Sequence, residues 1–182
     1  MSELAYKFTR VGHRSPFTGF EWPTDEWVEA EGDLELCANG IHACRLEALP
    51  RWIDDELWQI EVEDVRHEYD GVLVARRARL VKRFARWNAD TSRELARSCA
   101  REAHQLASEK ADSLIRQMAD EISAIAEGPD PSATALSMYC TAHAFDVAIE
   151  GGYVAERRRQ SEWLRDRLGL EPPSQSGLRD ES

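Results

Sequence analysis

A short segment near position 40 combines residue types that bind metals or act as nucleophiles. Within residues 37–44 the chain places two of its four cysteines and one of its five histidines, namely Cys37, His42 and Cys44. Thiolate and imidazole are ligands of tetrahedral zinc sites. An Asn-Gly pair at 39–40 favours a tight turn there, because both residues tolerate positive φ. We therefore expect the three side chains to converge, and zinc is the candidate cofactor.

A fourth zinc ligand has to come from elsewhere in the chain, since no second Cys or His pair lies nearby in the sequence. Cys140 and His143 are the best donors, because residues three apart share a face of a helix. Other interpretations of the segment stay open. The cysteines can pack in the core or pair between strands as thiols. His42 can activate a thiol for nucleophilic attack, or it can only hold the turn by hydrogen bonds.

Residues 12–23, the aromatic loop, form a second candidate site. The segment contains two glycines, two prolines and three aromatic residues, which is too apolar for a solvated linker. It predicts either a plug over one end of the core or the wall of a pocket, and the large aromatic side chains favour the plug. In the pocket interpretation, an anionic or planar ligand binds to a set of four residues: His13, Arg14, Phe17 and Trp22.

Alternating and helical patterns predict the elements that position these segments. Alternation of apolar and polar residues predicts strands in the first half, most clearly over 56–63. Apolar residues then keep a helical period for about 35 residues, from a capping pattern at 91–94 to a Gly-Pro stop. Two more helices are predicted over 130–149 and 153–168. The predicted fold is α+β: a mixed, mainly antiparallel sheet of about five or six strands, followed by three helices.

Three regions follow from the same patterns. A β-rich domain over 1–87 carries the Cys/His turn, and a helical region over 88–170 packs on it. The tail over 171–182 has almost no apolar residues and is predicted to be disordered. Charged runs at 54–56 and 156–159 are typical of solvated surfaces.

The charge balance argues against several partners. The net charge is −11, from 34 acidic and 23 basic residues, so nucleic-acid binding is not expected. No apolar stretch approaches the ~20 residues that cross a bilayer, and the N-terminal residues, which include Glu3 and no apolar run, are not expected to form a signal peptide. We therefore expect a cytoplasmic protein with no membrane contact, whose partner is a small molecule or another protein.

Four short segments carry a resemblance to an uncharacterised family. They are Tyr6-Lys7-Phe8, residues 15–19, residues 36–45 and residues 55–58. Together they resemble actinobacterial proteins, with shorter phage relatives, whose hallmark is Cys-x-x-Gly-Ile/Phe-His-x-Cys before a helix. The resemblance covers about residues 4–84, and residues 88–170 look like the helical extension of the actinobacterial members. It implies membership and no particular activity.

A looser similarity concerns the first strand and the turn that contains His42. A strand with an aromatic residue and an arginine, followed by a Gly-Ile-His turn, resembles small ADP-ribosyltransferase-like folds. That similarity implies that Arg10 and His42 face a nicotinamide dinucleotide and that Glu61 completes the catalytic site. The sequence thus predicts a binding or structural domain built around a Cys/His turn that holds zinc. The alternative is a small enzyme with a dinucleotide pocket.

Overall fold

The computed structural model describes residues 2–171 and confirms the α+β class, with the strands in the first half and the helices in the second. No helix in this range is both long and apolar enough to cross a membrane. The tail predicted to be disordered lies, apart from Glu171, outside the described residues. In chain order the elements are β1 Ser2–Thr9, β2 Val28–Glu29, β3 Ile41–Cys44, a 3-10 helix Leu46–Arg51, β4 Glu56–Tyr69, β5 Val72–Arg83, α1 Ala89–Lys110, α2 Ser113–Ala126, α3 Pro131–Ala148 and α4 Gly152–Leu168.

The five strands form one sheet in the order β2-β5-β3-β1-β4, and β5 also pairs with β4. The sheet therefore closes on itself through β5, β3, β1 and β4, and the short β2 pairs with β5 outside this ring. All pairings between these strands are antiparallel. In the described chain, a parallel contact occurs as an isolated bridge between Thr24 and Leu80.

Closure of the sheet covers the second part of β1, residues 5–9, on both faces. Tyr6 and Phe8 join a core cluster that contains residues of α1, α3 and α4. Ala5, on the opposite face, joins a cluster formed within the sheet. Lys7 shares the face of Ala5, where its Nζ donates to the carbonyl oxygen of His42 (2.7 Å). The strand predicted to be half-buried is thus covered on both sides, and burial lowers the pKa of Lys7 to about 8, although the nearby Cys44 acts in the opposite direction.

The helical half contains four helices rather than the three predicted. The single run expected after residue 91 is divided at Ala111, which adopts a left-handed conformation (φ 52°). Asp112 then caps α2 by accepting from the backbone N–H groups of Leu114 and Ile115. The apolar residues keep their period across this break, so periodicity alone gives one helix. The break folds α2 back onto α1 and α3.

Two other local predictions differ from the structure. The N-cap of α1 is Asn88, three residues before the predicted cap Thr91, because the Asn88 side chain accepts from the N–H groups of Asp90 and Thr91. The strand expected over 34–37 does not form. Instead, a hydrogen-bonded turn joins Glu35 and Asn39, which make an isolated bridge.

Candidate functional site

His42 is fixed by two contacts inside its own turn. Its Nε2 accepts a hydrogen bond from the backbone N–H of Cys37 (3.0 Å), and its Nδ1 lies 3.2 Å from the carbonyl oxygen of Gly40. These contacts assign the neutral tautomer with the proton on Nδ1. Both ring nitrogens are therefore engaged with the backbone, and the lone pair that a metal would need already accepts the Cys37 N–H.

The backbone of the turn explains why the histidine is held this way. Gly40 has φ +123°, and a Cβ built on it would lie 2.6 Å from a Val74 side-chain carbon. The Asn39 side-chain amide donates to the carbonyl oxygens of Glu31 (2.7 Å) and Asp33 (2.8 Å). The hydrogen-bonded turn runs over residues 36–38, where Cys37 has φ 64°, whereas Asn39 does not have a positive φ. The tight turn predicted at the Asn-Gly pair therefore forms just before it, and His42 holds that turn through the Cys37 N–H.

The two cysteines of the segment lie in different environments. Cys37 is exposed, with a left-handed backbone (φ 64°). Cys44 is buried in the cluster shared with the helices. Burial raises the pKa of the Cys44 thiol to about 12, although the Lys7 and Arg51 cations oppose this effect. Cys44 is therefore a neutral core thiol, which does not suit a nucleophile or a thiolate ligand. Among residues 2–171, no group of three His, Cys, Asp or Glu side chains is placed to hold a metal ion.

The candidate fourth ligands lie on α3 and face a groove between α2 and α3. Cys140 packs against the cluster formed by α1, α2 and α3, whereas Cys44 belongs to the core beneath the sheet. The ring of His143 packs between Tyr139 (4.3 Å between ring centres) and Tyr153 (5.1 Å). The groove has a volume of about 250 Å³ and is lined by Met118, Glu121, Ile122, Ile125, Tyr139, Cys140 and His143.

The aromatic loop is both a plug and an exposed surface. Trp22 is 4% exposed and joins the cluster within the sheet, and its indole N–H donates to the Ser15 hydroxyl (2.8 Å). Phe17, at the tip of the loop, is 85% exposed, and Phe20 is 44% exposed. Arg14 is also exposed and pairs with Glu21 (3.3 Å). The four predicted ligand-binding residues therefore face in different directions, and Phe17 and Arg14 lie outside while Trp22 lies in the core.

Glu56 anchors the loop to the sheet. This carboxylate is 5% exposed, and its Oε2 contacts the ring Nδ1 of His13 (3.0 Å), the backbone N–H of His13 (3.3 Å) and the indole N–H of Trp58 (3.3 Å). Its other oxygen pairs with Arg83 (3.2 Å). Burial alone would raise the pKa of Glu56, but the hydrogen bonds from Trp58 and His13 and the charge of Arg83 lower it. His13 is thus a link between loop and strand.

The residues implied by the transferase similarity are not brought together. Arg10 follows the end of β1, whereas Glu61 pairs across the sheet with Leu4 near its start. Six residues of extended strand separate these positions by roughly 20 Å. The Glu61 side chain binds Arg79 (2.8 Å), and the His42 ring contacts its own turn.

Sequence reasoning missed Glu56, Glu121, Lys7 and Trp52. Glu56 sits in an acidic run that is typical of a surface. A faint signal existed, because strand alternation places Glu56 on the same face as Trp58 and Ile60. Glu121 and Trp52 have no signal of this kind, because tertiary packing alone gives them their neighbours.

The fold and these contacts define a class: an α+β protein with a self-closed antiparallel sheet covered on one side by helices. No family model, no curated protein and no solved structure matches the chain. The resemblance to actinobacterial and phage proteins stays a prediction.

Replacing His42 with alanine tests the role of the histidine in the turn. Losing the two contacts is expected to lower the free energy of unfolding by about 1 kcal/mol at pH 7. The pKa of His42 is lowered mainly by burial, partly offset by the Gly40 carbonyl and reinforced by the Lys7 charge. The unfolded chain therefore binds a proton more readily, so this stabilisation is present above about pH 6.5 and is lost as the pH falls through the folded-state value.

Urea denaturation at pH 5, 6 and 7 measures this effect. The parent should become more stable from pH 5 to 7, and His42→Ala should lose part of that rise. His104→Ala is the control, since His104 is an exposed histidine on α1 that contacts the Ser123 hydroxyl. Identical pH profiles for the parent and His42→Ala would contradict the assigned role.

Proposed function

We propose that this protein is a protein-binding module whose contact surface is the aromatic loop, and in which the Cys/His turn is part of the scaffold. The observation that carries the proposal is the 85% exposure of Phe17 on a loop whose two ends are fixed to the sheet. A large aromatic side chain that stays exposed to water contributes almost no hydrophobic free energy to folding. In a protein interface the same side chain is among the residue types that contribute most to affinity.

The loop is ordered by its own hydrogen bonds. Two small turns follow each other, with Arg10 and Arg14 bonded through their backbones and Ser15 bonded to Phe20 and Gly19. Its base is held by the Glu56 contacts described above. Because such a loop loses little conformational entropy on binding, it suits recognition by a preformed surface.

The aromatic loop and the residue before it expose several side chains of types found in protein interfaces. Val11 is 70% exposed, and Phe20 contacts Trp22 edge-on (5.5 Å between ring centres). The exposed Arg14 adds a cation of the type enriched in such contacts. Exposed aromatic residues and an arginine on one ordered loop are the composition expected of a contact surface.

Trp52 supplies a directional contact at the same place. Its ring lies perpendicular to that of Phe17, with 6.4 Å between the centres. Within the described residues, its indole Nε1 is buried and has no hydrogen-bond partner. A buried donor without an acceptor costs roughly 1–3 kcal/mol. A partner carbonyl that reaches this N–H would recover that energy, which favours an extended peptide segment as the contacting element.

Zinc coordination stays the alternative role of the Cys/His turn. Coordination by His42 would have to replace its hydrogen bond from Cys37. Elemental analysis of the purified protein separates the two roles, because stoichiometric zinc that is lost in His42→Ala would support the metal site.

Substitution of Phe17 tests the proposed surface. A photo-crosslinking p-benzoylphenylalanine at position 17 identifies the partner in a lysate of the source organism, and titration with that purified partner then measures affinity. Phe17→Ala is expected to weaken binding at least about tenfold, or roughly 1.4 kcal/mol. Its free energy of unfolding should change by less than about 0.5 kcal/mol, because the side chain is exposed.

Val154→Ala is the matched control for this test. Val154 is 71% exposed on α4, so its truncation removes a similarly exposed apolar side chain elsewhere. It should leave the affinity unchanged. A partner that binds Phe17→Ala as tightly as the parent protein would show that the aromatic loop is not its contact surface.

A further inference from the structure

The groove between α2 and α3 is separate from the aromatic loop and has the dimensions of a small ligand site. Its volume of about 250 Å³ exceeds the ~150 Å³ of a protein cavity that holds benzene. Ile122 lies at its floor, 1% exposed, while Ile125 and Met118 are partly exposed along the wall. A ligand with one aromatic ring, or a short apolar chain, fits this space.

The groove has one formal charge among its lining residues, the carboxylate of Glu121. In the part of the chain that the structure describes, this side chain accepts a hydrogen bond from the Gln117 amide (3.1 Å) and makes no ion pair. The charge of Glu121 acts on Cys140, which also lines the groove. Burial is the main cause of the raised pKa of the Cys140 thiol, and the Glu121 carboxylate adds to it. A cation placed near Glu121 would therefore be stabilised.

Aromatic rings from α3 complete the polar end of the groove. The Tyr139 and His143 rings meet at 64° with 4.3 Å between their centres. Arg157 approaches Tyr139 from α4, with its guanidinium carbon 5.9 Å from the ring centre. That cation is bound to the carbonyl oxygen of Pro50 and to Gln160, so it is fixed on the α4 side. Tyrosine ring faces attract cations, and Arg157 already takes this place on Tyr139. The Glu121 carboxylate is therefore the group that would attract a further cation.

The net charges of α2 and α3 are both negative, which also favours a cationic ligand. α3 contains Asp146 and no lysine or arginine, and α2 contains two acidic residues against the single Arg116. We propose that the α2–α3 groove binds a small organic cation, with its apolar part against Ile122 and Ile125 and its ammonium group beside Glu121. An anionic ligand of the same size would meet an unpaired carboxylate and is excluded.

Three ligands of similar size and different charge test this proposal: 2-phenylethylammonium, 2-phenylethanol and 3-phenylpropionate. Isothermal titration of the full chain at low salt should show the ammonium compound binding at least about tenfold more tightly than the alcohol. The propionate should bind most weakly. Glu121→Gln should bring the ammonium compound to the affinity of the alcohol and leave the alcohol unchanged.

The chain offers a close control for Glu121. Glu109 on α1 is also an exposed glutamate that accepts from a glutamine four residues earlier, Gln105 (2.8 Å), but it does not line the groove. Glu109→Gln should bind all three probes like the parent. Ile125→Trp fills the groove and should abolish binding of all probes, and Met118→Trp replaces it where Ile125→Trp does not fold.

Several results would overturn the proposal. One is equal binding of the three probes, which would make the groove a purely apolar site. Another is unchanged ammonium affinity in Glu121→Gln, and a third is no binding of any probe at millimolar concentration. If the parent sediments as a dimer and Ile125→Trp as a monomer, the groove is a contact between two copies and not a cation site.

Discussion

Replacing Glu56 with alanine is expected to lower the free energy of unfolding by about 3 kcal/mol and to loosen the aromatic loop. The change leaves the buried indole N–H of Trp58 without an acceptor, and a buried donor of this kind costs roughly 1–3 kcal/mol. It also removes the acceptor of the N–H groups of the half-buried His13. Urea denaturation measures the stability loss. Hydrogen exchange of the backbone amides over 12–23 measures the loosening, because those amides lose the anchor at the base of the loop.

Glu63→Ala is the control on the same strand. Glu63 pairs with Arg77 (3.0 Å) on the more exposed face of β4, and both side chains reach solvent, so its loss should cost less than about 1 kcal/mol. The pH gives a second check. Because the pKa of Glu56 is lowered in the folded state, its stabilisation is present above about pH 4.5 and is lost as the pH falls. Equal losses in the two variants, or unchanged exchange over 12–23, would show that Glu56 does not anchor the loop.

Local sequence patterns are enough to predict the strands and the fold class. The alternation over 56–63 survives as the first part of β4, with Leu57 facing the helices and Ile60 facing the interior of the sheet. The periodicity of apolar residues indicates which residues of one strand or helix share a face. It does not record which other element covers that face, so neither the closure of the sheet nor the burial of Lys7 follows from it.

The same limit explains the candidate site. Alternation places His42 and Cys44 on one face of β3, but the course of the chain between Cys37 and His42 depends on the hydrogen bonds of the turn. Those bonds direct His42 toward the backbone and leave Cys37 exposed. Residue types and spacing therefore predict a turn in this segment but not its position over residues 36–38. The convergence of the three side chains depends on tertiary geometry that the spacing does not contain.

The charged run at 156–159 shows how packing changes the meaning of a sequence pattern. It is typical of a solvated helix face, but Glu156 is 2% exposed and Arg157 is 7% exposed. α4 packs against α3 and the 3-10 helix, and these residues form a buried polar network in that interface. Gln160, which is fully buried, connects Glu156 (2.8 Å) with the carbonyl oxygen of Met138 (3.0 Å).

Replacing Glu156 with alanine is accordingly expected to lower the free energy of unfolding by about 3–5 kcal/mol, because it removes one partner of a largely buried ion pair. Its two oxygens accept from Arg159 at 2.7 and 2.8 Å, and the nearest other carboxylate to that guanidinium is Glu102 at 3.6 Å. Urea denaturation monitored by the far-ultraviolet circular dichroism of the helices measures the loss. Glu162→Ala on the same helix breaks only the exposed pair with Arg158 and should cost less than about 0.5 kcal/mol. A similar small cost for Glu156→Ala would mean that α4 is held to α3 and the 3-10 helix by its apolar residues alone, and that the buried network adds no stability to the interface.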